Sequence, residues 1–345
     1  MKKAFIKILS AILSIVMILS FASCAKQDKD NTTNENTNND TAETLPDAEL
    51  EIKIYSLSGT TALGFAQMID SIKNSTATMN YNISINSAAD TITGPIVSGE
   101  CAIAALPTNV AAKLYKASAG KVQLLAVNTL GVLYLLQGEG ESITSLSDLE
   151  GKTVYLPGAG SNPEYITAAL LSSAGVNNVT LDTTTYPNPD ALHQAIAGGL
   201  IKLAVLPEPK VTAVTLQNSS ITVAIDLTEE WEKINGENTL LQGCLVVNTE
   251  FAKAHPAEVT QFLKDYKESV DFIAGASDDA INMIVDAKIL PAAAMAKKAL
   301  PKCNICCITG EDMISPMSVF FEKIYAQNPD SIKAIPDNSF YYGEK

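Results

Sequence analysis

The chain has 345 residues and a formal net charge of −14, from 24 basic and 38 acidic side chains. This acidic balance argues against nucleic-acid binding and against broad contact with anionic lipid surfaces. Every basic residue is Lys. The chain therefore has no guanidinium group that could hold a carboxylate, sulfonate or phosphate through two parallel hydrogen bonds.

Residues 1–23 have the pattern of an export signal. Three lysines within the first seven residues precede a mostly apolar stretch over 8–21, which is shorter than the roughly 20 residues that a membrane-spanning helix needs. Two small residues then precede Cys24, an arrangement that resembles a lipobox, although Phe21 stands where Leu is usual. We predict a lipoprotein signal peptide over 1–23 and lipidation of the Cys24 thiol; simple secretion is the alternative.

Residues 24–48 are predicted to be a disordered tether. Most of this stretch is Asn, Thr, Asp and Glu, so it has little apolar surface whose burial could offset the entropy lost on ordering. The remaining chain is long enough for two domains or for one unit of two lobes with a sizeable core. We predict a first lobe over 49–134, a second lobe over 135–243, and a return to the first lobe over 244–345.

The first part of the folded chain alternates strand and helix patterns, which favours a parallel α/β sheet. Strands are predicted at 51–57, 81–85, 101–106 and 122–127, with helices beginning near Ala62 and Asn109.

The pattern restarts after a polar break at 138–147. Strands are predicted at 152–156 and 201–206. Asn162 and Asn188 are the predicted N-caps of two helices, because each is followed by Pro and each helical pattern ends at a Gly.

A third part follows the second lobe. The strand pattern at 245–247 leads into a region from Glu250 to about Ala326 that is predicted to be helical. A chain that builds one α/β unit, builds a second and then returns to the first crosses between them twice, and such a double crossing forms a hinge.

Four segments resemble those of a known family in their order and spacing. They are DLEGKTVYLPGAGSNPEY (148–165), LPEP (206–209), GCLVVNTEFAKAHPAEVTQFL (243–263) and PDNSFYY (336–342). Together they are similar to the solute-binding proteins of ABC importers for nitrate, sulfonates such as taurine, and thiamine precursors. The resemblance implies the type II periplasmic-binding-protein fold, with two lobes that each contain a mostly parallel sheet flanked by helices. Cys101 and Lys202 depart from the pattern, because relatives often carry Asp there.

Ligands of open α/β sheets bind outside the carboxyl ends of the strands, where loops and helix N-termini present free N–H groups. The predicted strands place four loops there, each of which could instead simply cap a helix. A nearby tyrosine could stack on a flat heterocycle or merely pack. The candidate ligand-binding residues are Ser58, Gly59, Thr60, Thr61, Thr108, Asn109, Ser161, Asn162, Tyr186 and Glu208. An acid in the cleft and the lack of Arg favour a ligand with amino or amidine-like donors over a sulfonate.

The Cys303-Asn304-Ile305-Cys306-Cys307 segment suggests a metal or redox site. A zinc site needs four ligands, and both histidines are distant in sequence. We therefore expect buried thiols in an apolar turn; an internal disulfide and a metal site are the alternatives. Enzymes with a cysteine nucleophile also occur on the fold that the resemblance implies, so a secreted thiamine-type or pyrimidine-type enzyme remains a second hypothesis.

These patterns and the resemblance together predict an extracytoplasmic receptor of an ABC importer. The expected partners are a small-molecule ligand and the permease and ATPase subunits, with membrane contact only through the lipid anchor. We expect a monomer without enzymatic activity, cofactor or metal. A lipoprotein that presents its ligand to a signalling receptor is a third hypothesis.

Overall fold

The structure of the protein is a computed structural model that describes residues 45–343. The predicted signal peptide, the Cys24 anchor and most of the predicted tether lie outside this range. No helix within residues 45–343 is long and apolar enough to cross a membrane. The residues that are described form two sheets with helices packed on them, which we call the first lobe and the second lobe.

The first lobe contains a six-stranded sheet in the order β2-β1-β3-β10-β4-β11. Its strands are β1 (Ile52–Leu57), β2 (Tyr81–Asn86), β3 (Ile103–Pro107), β4 (Val122–Thr129), β10 (Gly243–Asn248) and β11 (Ile305–Ile308). The strands β1 to β4 run in one direction, whereas β10 and β11 run against them. All six residues of β10 are buried, because the strand lies between β3 and β4.

The second lobe contains a five-stranded sheet in the order β7-β6-β8-β5-β9. Its strands are β5 (Leu133–Gln137), β6 (Thr153–Tyr155), β7 (Thr180–Asp182), β8 (Leu203–Pro207) and β9 (Thr222–Asp226). Only β5 runs against the other four within this sheet. In the first sheet β10 lies between β3 and β4, and in the second sheet β5 lies between β8 and β9. Each of these two strands is the first one after the chain has passed over from the other lobe, so the two lobes share one topology.

The helices flank the sheets. They are α1 (Thr60–Leu63), α2 (Ala66–Lys73), α3 (Asp90–Ser98), α4 (Thr108–Ala117), α5 (Asn162–Ser173), α6 (Pro189–Ala197), α7 (Lys210–Gln217), α8 (Leu227–Asn235), α9 (Thr249–Ala254), α10 (Pro256–Ala274), α11 (Asp278–Asp286), α12 (Ala293–Ala299) and α13 (Ile314–Gln327). The predicted α/β class and the two-lobed type II arrangement with two crossings are confirmed.

Three local predictions were wrong. Asn162 is the first residue of α5 rather than its N-cap, which is Ser161, because the Asn162 amide points away to partners in the first lobe. The helix expected from Ala62 is two helices, interrupted where α10 packs against Gly64. The region after Glu250 is not entirely helical, since β11 extends the first sheet by pairing with β4.

Candidate ligand-binding site

Two chain segments connect the lobes, and hydrogen bonds hold them side by side. The first crossing, 130–132, joins β4 to β5, and the second, 236–242, joins α8 to β10. The Gln242 N–H donates to the Thr129 carbonyl at 3.0 Å, and the Val132 N–H donates to Gln242 Oε1 at 2.7 Å. Gln242 therefore ties the two crossings to each other.

Loops of the two lobes meet beside these crossings, at a contact that we call the seam: Thr108, Asn109, Gly160, Asn162 and Gln242. Asn109 Nδ2 donates to the Gly160 carbonyl at 3.1 Å. Asn162 Nδ2 donates to Thr108 Oγ1 at 3.1 Å and to the Gln242 carbonyl at 3.2 Å. The structure thus brings together three of the predicted ligand residues, from one loop of each lobe.

The seam contains two buried acceptors without a donor. Asn109 is fully buried and Asn162 is 4% exposed, and neither Oδ1 has a hydrogen-bond partner among residues 45–343. A buried polar atom left unpaired costs roughly 1–3 kcal/mol. Such atoms therefore suggest a place where a partner molecule supplies the missing hydrogen bonds.

The predicted loop over residues 57–64 reaches the edge of the seam through Thr61 alone. Thr61 is buried, its hydroxyl donates to the Leu57 carbonyl at 2.7 Å, and its methyl group packs against Gly243. Ser58 is exposed, and Gly59 adopts a positive φ of 97° that favours glycine. No side-chain hydrogen bond within the described part of the chain links Ser58 or Thr60 to the seam.

The glycine-rich loop before α5 is a poor anion cradle. The Gly160 N–H donates to the carboxylate of Glu164, and the Ser161 hydroxyl donates to the Pro157 carbonyl at 2.7 Å. The loop has already used these two donors, and an acidic side chain occupies the position that a bound anion would take. Of this loop's predicted ligand residues, Asn162 lies in the seam and the Ser161 hydroxyl is engaged locally.

Lys113 is a cation in contact with the glycine-rich loop. It lies on α4, with its Nζ 3.4 Å from the Gly160 carbonyl and 5.5 Å from the centre of the Tyr165 ring. Burial lowers the pKa of Lys113, and the charge of Lys333 adds to this effect. The contact with the aromatic face offsets part of the cost of desolvating the ammonium group.

Glu208 is buried next to the first crossing. Its carboxylate is 1% exposed and accepts hydrogen bonds from the Thr212 N–H at 3.0 Å and the Thr212 hydroxyl at 2.9 Å. Burial raises the pKa of Glu208, and these hydrogen bonds partly oppose the shift. The Glu208 N–H donates to the carbonyl of Val132, in the first crossing. The predicted cleft acid is thus engaged with its own helix.

Two aromatic side chains pack on hydrophobic cores and make no hydrogen bond to the seam in the described part of the chain. Tyr186 is half-buried and packs edge-on against Tyr155, with ring centres 5.8 Å apart, on the core of the second lobe. Trp231 is 1% exposed. Its indole N–H donates to Thr239 at 3.1 Å, and its ring lies 5.7 Å from that of Phe320 on α13. Trp231 is therefore a core residue.

Three further residues at or near the seam were not predicted from the sequence: Gln242, Lys113 and Asn128. Asn128 is buried near the end of β4 and donates to the Thr61 carbonyl at 3.2 Å and to Tyr266 Oη at 3.3 Å. The rule that ligands bind at the carboxyl ends of strands points to this residue as well. Gln242 and Lys113 carry no such signal, because only the fold brings them to the seam.

The cysteine segment does not form a site with a shared centre. Its three thiols pack into three different apolar clusters, and the described cysteines are all free. Burial raises the pKa of Cys303, raises that of Cys306 to about 12 and raises that of Cys307 to about 11. The expectation of buried thiols agrees with these positions, but the segment forms strand β11 instead of a turn. Asn304 of this segment contacts the first crossing, since the Leu130 N–H donates to the Asn304 carbonyl at 3.0 Å.

Comparison with known proteins supports the fold. Residues 119–280 match the family model described as NMT1/THI5 like. A crystal structure of an ABC transporter from Parabacteroides distasonis is similar with a TM-score of 0.72 and 20% identity, over 87% of this chain and 100% of that chain. The periplasmic aliphatic sulphonate binding protein SsuA from Escherichia coli is similar with a TM-score of 0.68 and 14% identity, over 86% and 92% of the respective chains.

A more distant likeness is to the periplasmic nitrate-binding protein NrtA from Synechocystis, with a TM-score of 0.56 and 10% identity, over 70% of this chain and 67% of that one. No curated protein matches the sequence at a significant level. These identities are low, so the likeness concerns the fold. The chain has the type II periplasmic-binding-protein fold of ABC-importer binding proteins, and its residues 119–280 carry the NMT1/THI5-like match.

Proposed function

We propose that the protein is the ligand-binding receptor of an ABC importer and that it captures a small molecule at the seam. The single observation that carries the proposal is that side chains of both lobes meet beside the two crossings. Asn109 and Asn162 each present a buried acceptor there that no described residue satisfies. A ligand bound at the seam contacts both lobes at once, which is the requirement for capture by closure.

The crossings supply the hinge. Within residues 45–343, the chain passes from a strand of one sheet to a strand of the other only through 130–132 and 236–242. The Gln242 side chain joins these two segments. Rotation about them separates Asn109 from Gly160 and Asn162 from Thr108, which opens the seam to solvent. A ligand that bridges the lobes shifts the population toward the form with the seam closed. Permease subunits that recognise this form would then receive the loaded receptor.

Ligand-dependent stabilisation and compaction test this proposal. We expect at least one small polar or heterocyclic compound to raise the melting temperature, since a ligand at 100 times its Kd adds about 2.7 kcal/mol to stability. The same compound should reduce the radius of gyration measured by small-angle X-ray scattering. A compound that stabilises the protein without any compaction would contradict capture by closure.

The membrane anchor and the importer partners are part of the proposal. We propose that the diacylglycerol-modified Cys24 holds the receptor at the extracytoplasmic face, with residues 24–48 as the tether. Replacement of Cys24 by Ser should release the protein from membranes and abolish incorporation of radiolabelled palmitate. Retention of the label in that variant would exclude Cys24 as the lipidation site.

We also propose that the protein has no catalytic activity. A nucleophilic cysteine needs a lowered pKa or an adjacent base. Burial instead raises the pKa of Cys303 and of Cys306, and the Glu208 carboxylate is occupied by Thr212. Mass spectrometry should recover a bound compound unchanged after prolonged incubation; a product that disappears in the Cys306→Ala variant would support the enzyme hypothesis.

A further inference from the structure

We infer that the ligand of the seam is a small molecule that presents N–H donors to Asn109 Oδ1 and Asn162 Oδ1, and that it is not a simple oxyanion. This inference rests on the proposed function and specifies the chemical class of the ligand. Amines, amidines, amides and amino-substituted heterocycles belong to this class.

The orientation of both side-chain amides follows from their partners. A carboxamide has one donor end and one acceptor end, and the two are assigned from the hydrogen-bond network. The Gly160 carbonyl facing Asn109 can only accept, as can the Gln242 carbonyl facing Asn162. The NH2 group of each amide must therefore face these carbonyls, which leaves each Oδ1 as the free end.

These two oxygens differ from the unpaired hydroxyls of the described chain. The hydroxyls of Thr167 and Ser331 are also buried without a partner, but a hydroxyl can rotate, and it serves both as a donor and as an acceptor. An amide oxygen whose NH2 is engaged has no such choice. Asn235 Oδ1 is a third atom of this kind, since its NH2 donates to the Trp231 carbonyl at 3.2 Å, but it lies at the end of α8 and outside the seam. Asn109 and Asn162 also belong to different lobes, so a ligand that donates to both oxygens would bridge the seam.

The surroundings disfavour an oxyanion. The Gly160 N–H is already bound to the Glu164 carboxylate, and the free atoms of the two asparagines are acceptors that repel anionic oxygens. The ammonium group of Lys113 contacts the loop, but it is directed at the Gly160 carbonyl and the Tyr165 ring. The Glu164 charge lies close to Lys113. The charges of Lys113 and Glu164 are opposite and equal, so the two amide oxygens decide the preference, and they suit a hydrogen-bond donor better than an anion.

A thermal-shift panel of paired probes tests the inference. The donor set contains cytosine, 4-aminopyrimidine, benzamidine and putrescine; the oxyanion set contains nitrate, ethanesulfonate, benzenesulfonate and phosphate, all at 10 mM in the same buffer. We expect at least one donor compound to raise the melting temperature of the purified full chain and no oxyanion to do so. Isothermal titration calorimetry of the best donor then gives its Kd.

Two variants identify the acceptors. Asn162→Leu keeps a side chain of similar size but removes the whole amide, its acceptor and its NH2 group, and Asn109→Leu does the same in the other lobe. We expect each to weaken binding of the best donor at least tenfold. Thr167→Val is the matched control: Thr167 lies on α5 with Asn162, is 1% exposed and also carries an unpaired oxygen. This control should leave the Kd within twofold of the wild-type value.

The outcomes separate the inference from the proposed function. Stabilisation and compaction by an oxyanion, without any effect of the donor set, would leave the receptor function standing and overturn the donor inference. Binding of a donor compound that both Leu variants retain, measured in variants whose circular dichroism matches the wild type, would also overturn it. If no compound of either set raises the melting temperature, the proposed function and the inference that rests on it are both contradicted.

Discussion

Gln242 is the residue on which the hinge depends most directly. Its Oε1 accepts from the Val132 N–H at 2.7 Å, and Val132 is 2% exposed. Replacement of Gln242 by Leu keeps the approximate volume of the side chain but leaves this N–H buried without a partner. An unsatisfied buried donor costs about 1–3 kcal/mol, so we expect the free energy of unfolding to fall by that amount.

Urea denaturation followed by circular dichroism measures this loss. With an m-value of about 3 kcal/mol per molar urea, a loss of about 1–3 kcal/mol moves the midpoint down by about 0.3–1 M. The hinge should also loosen, because Gln242 is the residue that joins the two crossings. We therefore expect a larger radius of gyration in the variant before any ligand is added.

Gln217→Leu is the matched control for this experiment. It makes the same chemical change at an exposed position on α7, where substitutions usually alter stability by less than about 0.5 kcal/mol. An unchanged urea midpoint in Gln242→Leu, or an equal change in both variants, would refute the reasoning. It would mean that the Val132 N–H finds another acceptor and that the tie between the crossings is dispensable.

Three further predictions concern burial. Because the pKa of Glu208 is raised in the folded protein, its contribution to stability is full below the unfolded pKa and is lost as the pH rises through the folded pKa. As the pH rises from 5 to 8, the melting temperature of Glu208→Gln should therefore increase relative to that of the wild type. A difference in melting temperature that stays constant over this range would contradict the expectation. Gly243→Ala should destabilise by about 1–3 kcal/mol, because its Cβ would lie 2.6 Å from Asn128 Oδ1. Gly94→Ala, with open space around its Cβ, should be neutral or stabilising in the same urea assay, and equal effects would refute the packing argument. Finally, the described thiols should react slowly with Ellman's reagent at pH 7.5, with the half-buried Cys307 fastest; a rate near that of free cysteine would show that the thiols are accessible.

The position of α13 bears on how the lobes move. Phe320 of this C-terminal helix packs on Trp231 of α8, and α13 also packs against α5. The C-terminal part of the chain, predicted to belong to the first lobe, therefore contacts the second lobe as well. The predicted lobe bounds at 134/135 and 243/244 stay a prediction, and hydrogen exchange with and without ligand would test which lobe α13 follows.

Local patterns in the sequence were sufficient for the main elements of the fold. The strands β1, β2, β3, β4, β6, β8 and β10 were predicted within two residues at each end, since buried strands between turn residues have a clear apolar signature. Strands β5, β7, β9 and β11 were missed. Two of them, β7 and β11, have only three and four residues, and β5 is an apolar run whose pairing depends on where the first crossing leads. Pairing between distant segments leaves no mark on local periodicity.

The same distinction between local patterns and tertiary contacts applies to the candidate site. Strand ends and helix starts are local features, so Thr108, Asn109 and Asn162 could be named from the sequence. The sequence does not say which of these residues lie together, because that depends on how the chain returns through 236–242. This return places Gln242 against Thr108 and Asn162. Side-chain orientation is equally non-local, since the carbonyls of Gly160 and Gln242 decide which end of each amide is free. Residue types thus supplied the hydrogen-bonding groups, and tertiary contacts decided which of those groups remain free for a ligand.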